Sequence, residues 1–142
     1  MNVAIIGASG YTGLELIKIL ITHPKFDIKY IANSTGKENV QDLHPCLKDV
    51  INIEVSKANA KEVAKVSDLA FLALPHKTSM SFAKELLELG VKVVDLSADY
   101  RLELDTYEEH YCPHEDKDHI KDSVYGLPEY YENDLKNAKL VA

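Results

Sequence analysis

Apolar residues fall along this chain in short blocks, and the period changes from block to block. Residues 2–7 (NVAIIG) form an apolar run entering a glycine, which predicts a buried strand. Over residues 11–22 the spacing turns helical: Leu14, Ile17, Leu20 and Ile21 sit at i, i+3, i+6 and i+7, and Leu16 and Ile19 widen the stripe. His23-Pro24 ends that helix, because proline cannot continue it. Residues 27–33 (DIKYIAN) predict a second strand, and 51–56 (INIEVS) a third that is shorter and amphipathic. Residues 58–67 predict a helix with Asn59 near its start. Residues 69–75 (LAFLALP) form an almost wholly apolar strand closed by Pro75. The next helix, 79–90, places Met80, Ala83, Leu86 and Leu87 on one face and has Gly90 as its stop. Residues 91–97 (VKVVDLS) predict a further strand.

Strands that alternate with helices, several of them apolar on both faces, build a parallel sheet covered on both sides. The fold class is therefore α/β, a doubly wound parallel sheet of Rossmann-like plan. After Ser97 the regularity is lost, and residues 98–128 carry aromatics, His, Asp and Glu with no clear period. A stretch of that length in a compact domain is functional or belongs to an interface. Residues 128–137 predict a short helix, and 138–142 (AKLVA) begin one more strand. All 142 residues are expected to form one domain, and the chain reads as halting inside an element.

Composition narrows the picture by exclusion. Sixteen Lys and Arg against 23 Asp and Glu give a formal net charge of −7 and no basic cluster, which argues against a nucleic-acid partner. Cys46 and Cys112 are distant and make no disulfide framework, so a reducing, cytoplasmic setting is expected. No apolar run approaches the ~20 residues that cross a bilayer, and the N-terminus lacks the basic start of a signal peptide.

The chemistry begins at residues 7–13, GASGYTG. Gly7, Gly10 and Gly13 form G-x-x-G-x-x-G between a predicted strand and a predicted helix. In that setting glycines let the backbone turn tightly and approach a pyrophosphate, which the helix N-terminus then receives. Ser9, Tyr11 and Thr12 fill the same turn and belong to the expected cofactor site. A turn with no ligand is the alternative. NAD sites place an acid at the end of the second strand for the ribose 2′-hydroxyl. Here that position reads Asn33, Ser34, Thr35, Gly36, Lys37, with the first carboxylate at Glu38. The missing acid favours NADP, with Ser34 and Lys37 as 2′-phosphate ligands; for Lys37 a solvated loop is the competing reading.

Further motifs carry a resemblance. GASGYTGLEL, DLHPCL, FLALPHKTS, VVDLSADYRL and VYGLPE occur in this order, and together they resemble the N-terminal part of the N-acetyl-gamma-glutamyl-phosphate reductases over essentially the whole chain. The resemblance implies an NADPH-dependent enzyme of arginine biosynthesis that reduces an acyl phosphate to a semialdehyde through a cysteine thioester. It further implies a small-molecule acyl-phosphate substrate and a homo-oligomer at full length. Family members carry the cysteine in Asn-Pro-Gly-Cys after a strand like KLVA, so no catalytic residue is expected in this chain; the nucleophile is expected just after Ala142. Aspartate-semialdehyde dehydrogenases share the general plan and offer one alternative, and a stand-alone NAD(P)-binding sensor module offers another.

Arg101 follows a strand end, at the carboxyl edge where ligands of open sheets gather. Its planar fork suits phosphate or carboxylate. The resemblance makes it a ligand of the substrate phosphate, and a salt bridge to Asp99 or Asp95 is the alternative. Ser97 is expected to reach substrate or nicotinamide from the same edge. Pro75 and His76 border the cofactor, unless His76 is only a polar loop residue. His110, Cys112, His114, Asp116 and His119 invite a metal reading, but their spacing lacks the paired patterns of zinc sites. No metal is expected there; a solvated loop is.

Overall fold

β1 (Asn2–Ile6) is apolar on both faces because both of its faces are covered. Val3 and Ile5 enter one core cluster, and Ala4 and Ile6 enter the other, as the two-residue period of a strand requires. The computed structural model describes residues 1–142 and sets β1 between β2 (Asp27–Asn33) and β5 (Leu69–Leu72), parallel to both. The sheet continues through β3 (Glu38–Asn39), β4 (Glu54–Lys57), β6 (Lys92–Asp95), β7 (Ser123–Val124) and β8 (Leu140–Val141). Its spatial order is β3-β4-β2-β1-β5-β6-β8-β7, with only the β3–β4 pair antiparallel. The winding reverses between β1 and β5, so the carboxyl ends of these two strands form the crevice where doubly wound sheets take ligands.

α1 (Tyr11–Ile21) buries Gly13, Ile17 and Leu20 against the face that carries Ile5, Ile31 and Val55. α2 (Val40–Leu43) and the 3-10 turn Pro45–Leu47 close over the same face through Val40 and Leu47. On the opposite face lie α3 (Ala60–Val66) and α4 (Thr78–Glu88), which supply Val63, Met80, Ala83 and Leu86. Leu87, expected on that buried stripe, is only half-buried. Asn59 caps α3 by accepting the Glu62 N–H at 3.2 Å. Gly90, at φ +82°, ends α4: its N–H reaches the Leu87 carbonyl, and the Val91 N–H reaches Leu86.

Two expectations are corrected. The strand predicted over 51–56 begins only at Glu54. Ile51 and Ile53 pack against the cluster under α1 instead of joining the ladder. Residues 98–128 are not irregular, for they hold α5 (Leu104–His110), α6 (Lys117–Ile120) and β7. α7 (Pro128–Leu135) lies outside the cores with none of its residues buried.

Two glycines of the first turn are dictated by packing. Gly7 adopts φ +94°, and a side chain there would enter the Ala73 carbonyl beyond β5. A Cβ on Gly13 would stand 2.5 Å from the Gly7 oxygen and 2.7 Å from the Ala8 Cα. Gly13→Ala therefore sets a helix-propensity gain of about 1 kcal/mol against overpacking of about 1–3 kcal/mol or more onto backbone that cannot step aside. The expected outcome is net destabilisation, read as a lower urea midpoint at unchanged m-value.

Candidate functional site

The turn from β1 into α1 is folded on its own backbone. Gly7 and Ala8 both donate to the Ala32 carbonyl, at 2.9 and 3.0 Å, Gly10 donates to Gly7 at 3.4 Å, and Leu14 closes the first helical bond on Gly10 at 3.0 Å. The N–H groups of Tyr11, Thr12 and Gly13 find no acceptor in the protein, and they carry the positive end of the helix dipole. Gly10 differs from its two companions. Its φ of −83° suits any residue, and a Cβ there would meet nothing nearer than 3.9 Å. Nothing in the protein's packing requires a glycine at position 10, and its lack of a side chain leaves the space over the three free N–H groups open.

A cleft of about 370 Å³ adjoins this space, walled by Ser9, Gly10, Tyr11, Leu14, Leu43 and His44. Ser9 and Thr12 are exposed, and Tyr11 is 91% exposed. His44 falls in the stretch DLHPCL, where spacing alone suggests no role for it. Its Nε2 lies 2.6 Å from the Ala8 carbonyl, so it carries the proton and donates, pinning the glycine turn from the α2 side. Only the tertiary fold reveals that contact, across 36 residues of sequence.

At the end of β2, Asn33 is buried and its amide is fully used. Its Oδ1 accepts from Thr35 N–H at 3.0 Å, Thr35 Oγ1 at 3.2 Å and Gly36 N–H at 2.6 Å. Its Nδ2 donates to Ser9 Oγ at 3.1 Å and to Glu38 Oε1 at 2.7 Å. Gly36 and Lys37 turn through left-handed φ of +67° and +65°, and the Lys37 N–H is fixed on the Val55 carbonyl at 3.0 Å. Ser34 and Lys37 are thereby held outward, both exposed, with the Lys37 ammonium in no ion pair. Glu38, which the sequence places beyond the turn, folds back onto Asn33 through β3.

The carboxyl edge of β5 and β6 is organised by buried acids. Asp95 accepts from Ser79 Oγ at 2.5 Å, from Ser97 N–H at 3.0 Å and from Ser97 Oγ at 2.7 Å. Asp99 accepts the Lys77 and Met80 N–H groups, both at 3.0 Å, at the start of α4, and the Tyr107 hydroxyl at 2.7 Å. Ser97, expected to face a ligand by backbone and hydroxyl contacts, turns its hydroxyl inward. That hydroxyl is buried, donating to Asp95 and accepting the Asp99 N–H at 3.0 Å. Beside the switch point, Pro75 and His76 are both exposed. His76 Nδ1 accepts the Ala98 N–H at 3.2 Å and lies 3.6 Å from Asp99 Oδ1. Arg101 makes neither salt bridge offered as its alternative. One Nη donates to the Leu96 carbonyl at 2.9 Å, and the side chain lines a cleft of about 290 Å³ with Tyr125, Gly126, Leu127 and Ala142.

The loop at 110–119 is exposed over most of its length, as expected, but turns His114 and Asp116 inward, where both are buried. His114 Nδ1 accepts the Asp116 N–H at 3.0 Å and its Nε2 donates to the Asp99 carbonyl at 2.7 Å; Asp116 takes the Tyr100 hydroxyl at 2.8 Å and His119 Nδ1 at 2.8 Å. No group of three or more His, Cys, Asp or Glu side chains is placed to hold a metal ion. Burial, then the hydrogen bond to Asp116, drives the Tyr100 hydroxyl well above the usual tyrosine range; burial and Asp99 do the same for Tyr107. Both tyrosines keep their proton in the folded state after the unfolded chain has lost it. Stability is therefore expected to hold below pH ~10 and to fall above it, by up to about 1.4 kcal/mol per pH unit for each tyrosine. Tyr107→Phe should cost about 1–3 kcal/mol at neutral pH, by leaving an Asp99 oxygen short of a donor, and should flatten the alkaline decline. Urea titrations from pH 7 to 11 measure both effects.

With this geometry in hand, comparison with known proteins places the chain. The model of the family described as "Semialdehyde dehydrogenase, NAD binding domain" matches residues 2–138. N-acetyl-gamma-glutamyl-phosphate reductase of Sulfurovum sp. (strain NBC37-1) is 61% identical over 142 residues, covering 100% of this chain and 42% of the relative. The enzyme of that name from Wolinella succinogenes is 54% identical over 140 residues, 99% of this chain and 42% of the relative. The [LysW]-L-2-aminoadipate/[LysW]-L-glutamate phosphate reductase of Sulfurisphaera tokodaii is 42% identical, with 100% and 42% covered. The chain thus spans well under half the length of these curated relatives. Among solved structures, Candida albicans aspartate semialdehyde dehydrogenase with NADP superposes at TM-score 0.70 and 20% identity, over 92% of this chain and 35% of that one, which shows the shared fold. The chain belongs to the family of semialdehyde dehydrogenase NAD-binding domains.

Proposed function

We propose that this chain is the NADP-binding part of an N-acetyl-gamma-glutamyl-phosphate reductase. Such an enzyme reduces N-acetyl-L-glutamyl 5-phosphate with NADPH to N-acetyl-L-glutamate 5-semialdehyde and phosphate. The observation that carries the cofactor reading is Gly10, a glycine the protein's own packing does not need, set before three free N–H groups. Residues 7–13 suit a pyrophosphate, and the outward pair Ser34 and Lys37 suits a 2′-phosphate. Pro75 and His76 flank the same crevice. When bound, the dinucleotide supplies the hydride. The chain's own work is to hold it, orient it and keep it at the switch point.

The substrate reading rests on the names of the relatives and on Arg101. Its guanidinium stands exposed at the carboxyl edge beside Ala142, tethered through one nitrogen, with further donors free for an acyl phosphate. In the reading proposed, the nucleophile of the longer protein is not among the residues of this chain, and Ser97 supports this edge through Asp95 and Asp99. Self-association belongs to that longer protein.

Titration of this chain followed by nucleotide fluorescence tests the cofactor half: NADPH is expected to bind more tightly than NADH. Gly10→Val should abolish binding with the melting temperature nearly unchanged. Equal affinities, or a Gly10→Val chain that still binds, would defeat the assignment. In the longer protein, Arg101→Ala is expected to raise KM for phosphate in the reverse reaction far more than KM for NADP, and equal changes would remove Arg101 from the phosphate site.

A further inference from the structure

The end of β2 lacks the acid that reads a ribose, yet the fold returns a carboxylate to that place. β3 pairs antiparallel with β4, with Glu38 opposite Val55 and Asn39 opposite Glu54, and this reversal brings Glu38 Oε1 to 2.7 Å from Asn33 Nδ2. The amide of Asn33 has only one orientation that satisfies its neighbours. A carboxylate can only accept, and the backbone N–H groups of Thr35 and Gly36 can only donate. Nδ2 must therefore face Glu38 and Ser9, and Oδ1 must face the turn of residues 34–37. One side chain thus joins the glycine turn, through Ser9, to the turn that carries Ser34 and Lys37.

We infer that Asn33 and Glu38 act as a pair that sets the dinucleotide preference. The neutral amide occupies the end of β2, and Glu38 keeps its own carboxylate engaged on that amide, away from the outward face of Ser34 and Lys37. Moving the negative charge from position 38 to position 33 should exchange a site for a 2′-phosphate for one that accepts a ribose 2′-hydroxyl. The inference rests on the dinucleotide reading above and adds to it a residue pair that decides between two cofactors.

A charge exchange tests it at constant net charge. Asn33→Asp combined with Glu38→Gln keeps the contact with donor and acceptor reversed, since the amide introduced at position 38 can donate to the carboxylate introduced at position 33. NADPH and NADH are titrated by fluorescence against the unaltered chain and the exchanged chain, with a thermal melt of each. The expected result is a melting temperature within a few degrees and a NADPH-to-NADH affinity ratio lowered by about tenfold or more, the value of one charged hydrogen bond. An exchanged chain that folds and keeps its preference overturns the inference while leaving the NADP reading intact. An unaltered chain that binds neither nucleotide removes the reading itself. Glu38→Gln alone covers the case in which the exchanged chain fails to fold. Its side-chain carbonyl still accepts from Asn33, so the NADPH preference should persist, and its loss would overturn the inference, since the charge of Glu38 in its present place would then be what favours NADPH.

Discussion

At the centre of the sheet there is no room for a side chain between Gly7 and Ala73, and the candidate site follows from that contact. It lets the end of β1 press against the end of β5, at the one place where the winding of the sheet reverses. Gly13 then packs on the Gly7 carbonyl, 2.5 Å from where its Cβ would stand. This close seating aims the first turn of α1, with three unused N–H groups, across the crevice. Gly10 joins the seating only through its backbone, and its lack of a side chain leaves the approach clear. Two glycines of the motif are thus required by packing, and the third is not.

The second half of the edge is built differently. Asp95 and Asp99 are buried without a lysine or arginine partner, a costly arrangement unless hydrogen bonds saturate the oxygens. They do so here: serine hydroxyls, backbone N–H groups and the Tyr107 hydroxyl all converge on the pair. Asp99 thereby ties the start of α4 to α5, and its carbonyl takes His114 from the loop beyond. The stretch after Ser97 owes its order to these polar contacts, and Arg101 and His76 are displayed on a rigid rim as a consequence.

This difference explains what could be read from the sequence. The longer strands and helices up to Ser97 announce themselves because their burial is apolar and periodic: Ile17 and Leu20 in α1 and Met80, Ala83 and Leu86 in α4 fall where the period puts them, whereas β3, α2 and the 3-10 turn between β2 and β4 are too short to show a period. α5 and the loop after it are buried through Tyr107, His114 and Asp116, residue types that ordinarily signal exposure, so no hydrophobic period marks them. The glycine turn, the outward Ser34 and Lys37, and Arg101 at the carboxyl edge were legible from motif and position. The inward turn of Ser97, the His44 contact on Ala8 and the return of Glu38 to Asn33 were not, since each depends on a partner set by the fold and not by spacing.

The central claim is that one dinucleotide lies across the first turn of α1 and the turn after β2. Backbone amide chemical shifts of the isotope-labelled chain, followed by NMR as NADPH is added, test it most directly. The largest changes are expected at Gly10, Tyr11, Thr12 and Gly13, together with Ser34 and Lys37, and at saturation they should report a single site. Changes centred elsewhere, for instance in the open polar groove between Lys121 and Lys139, with residues 10–13 undisturbed, would contradict it.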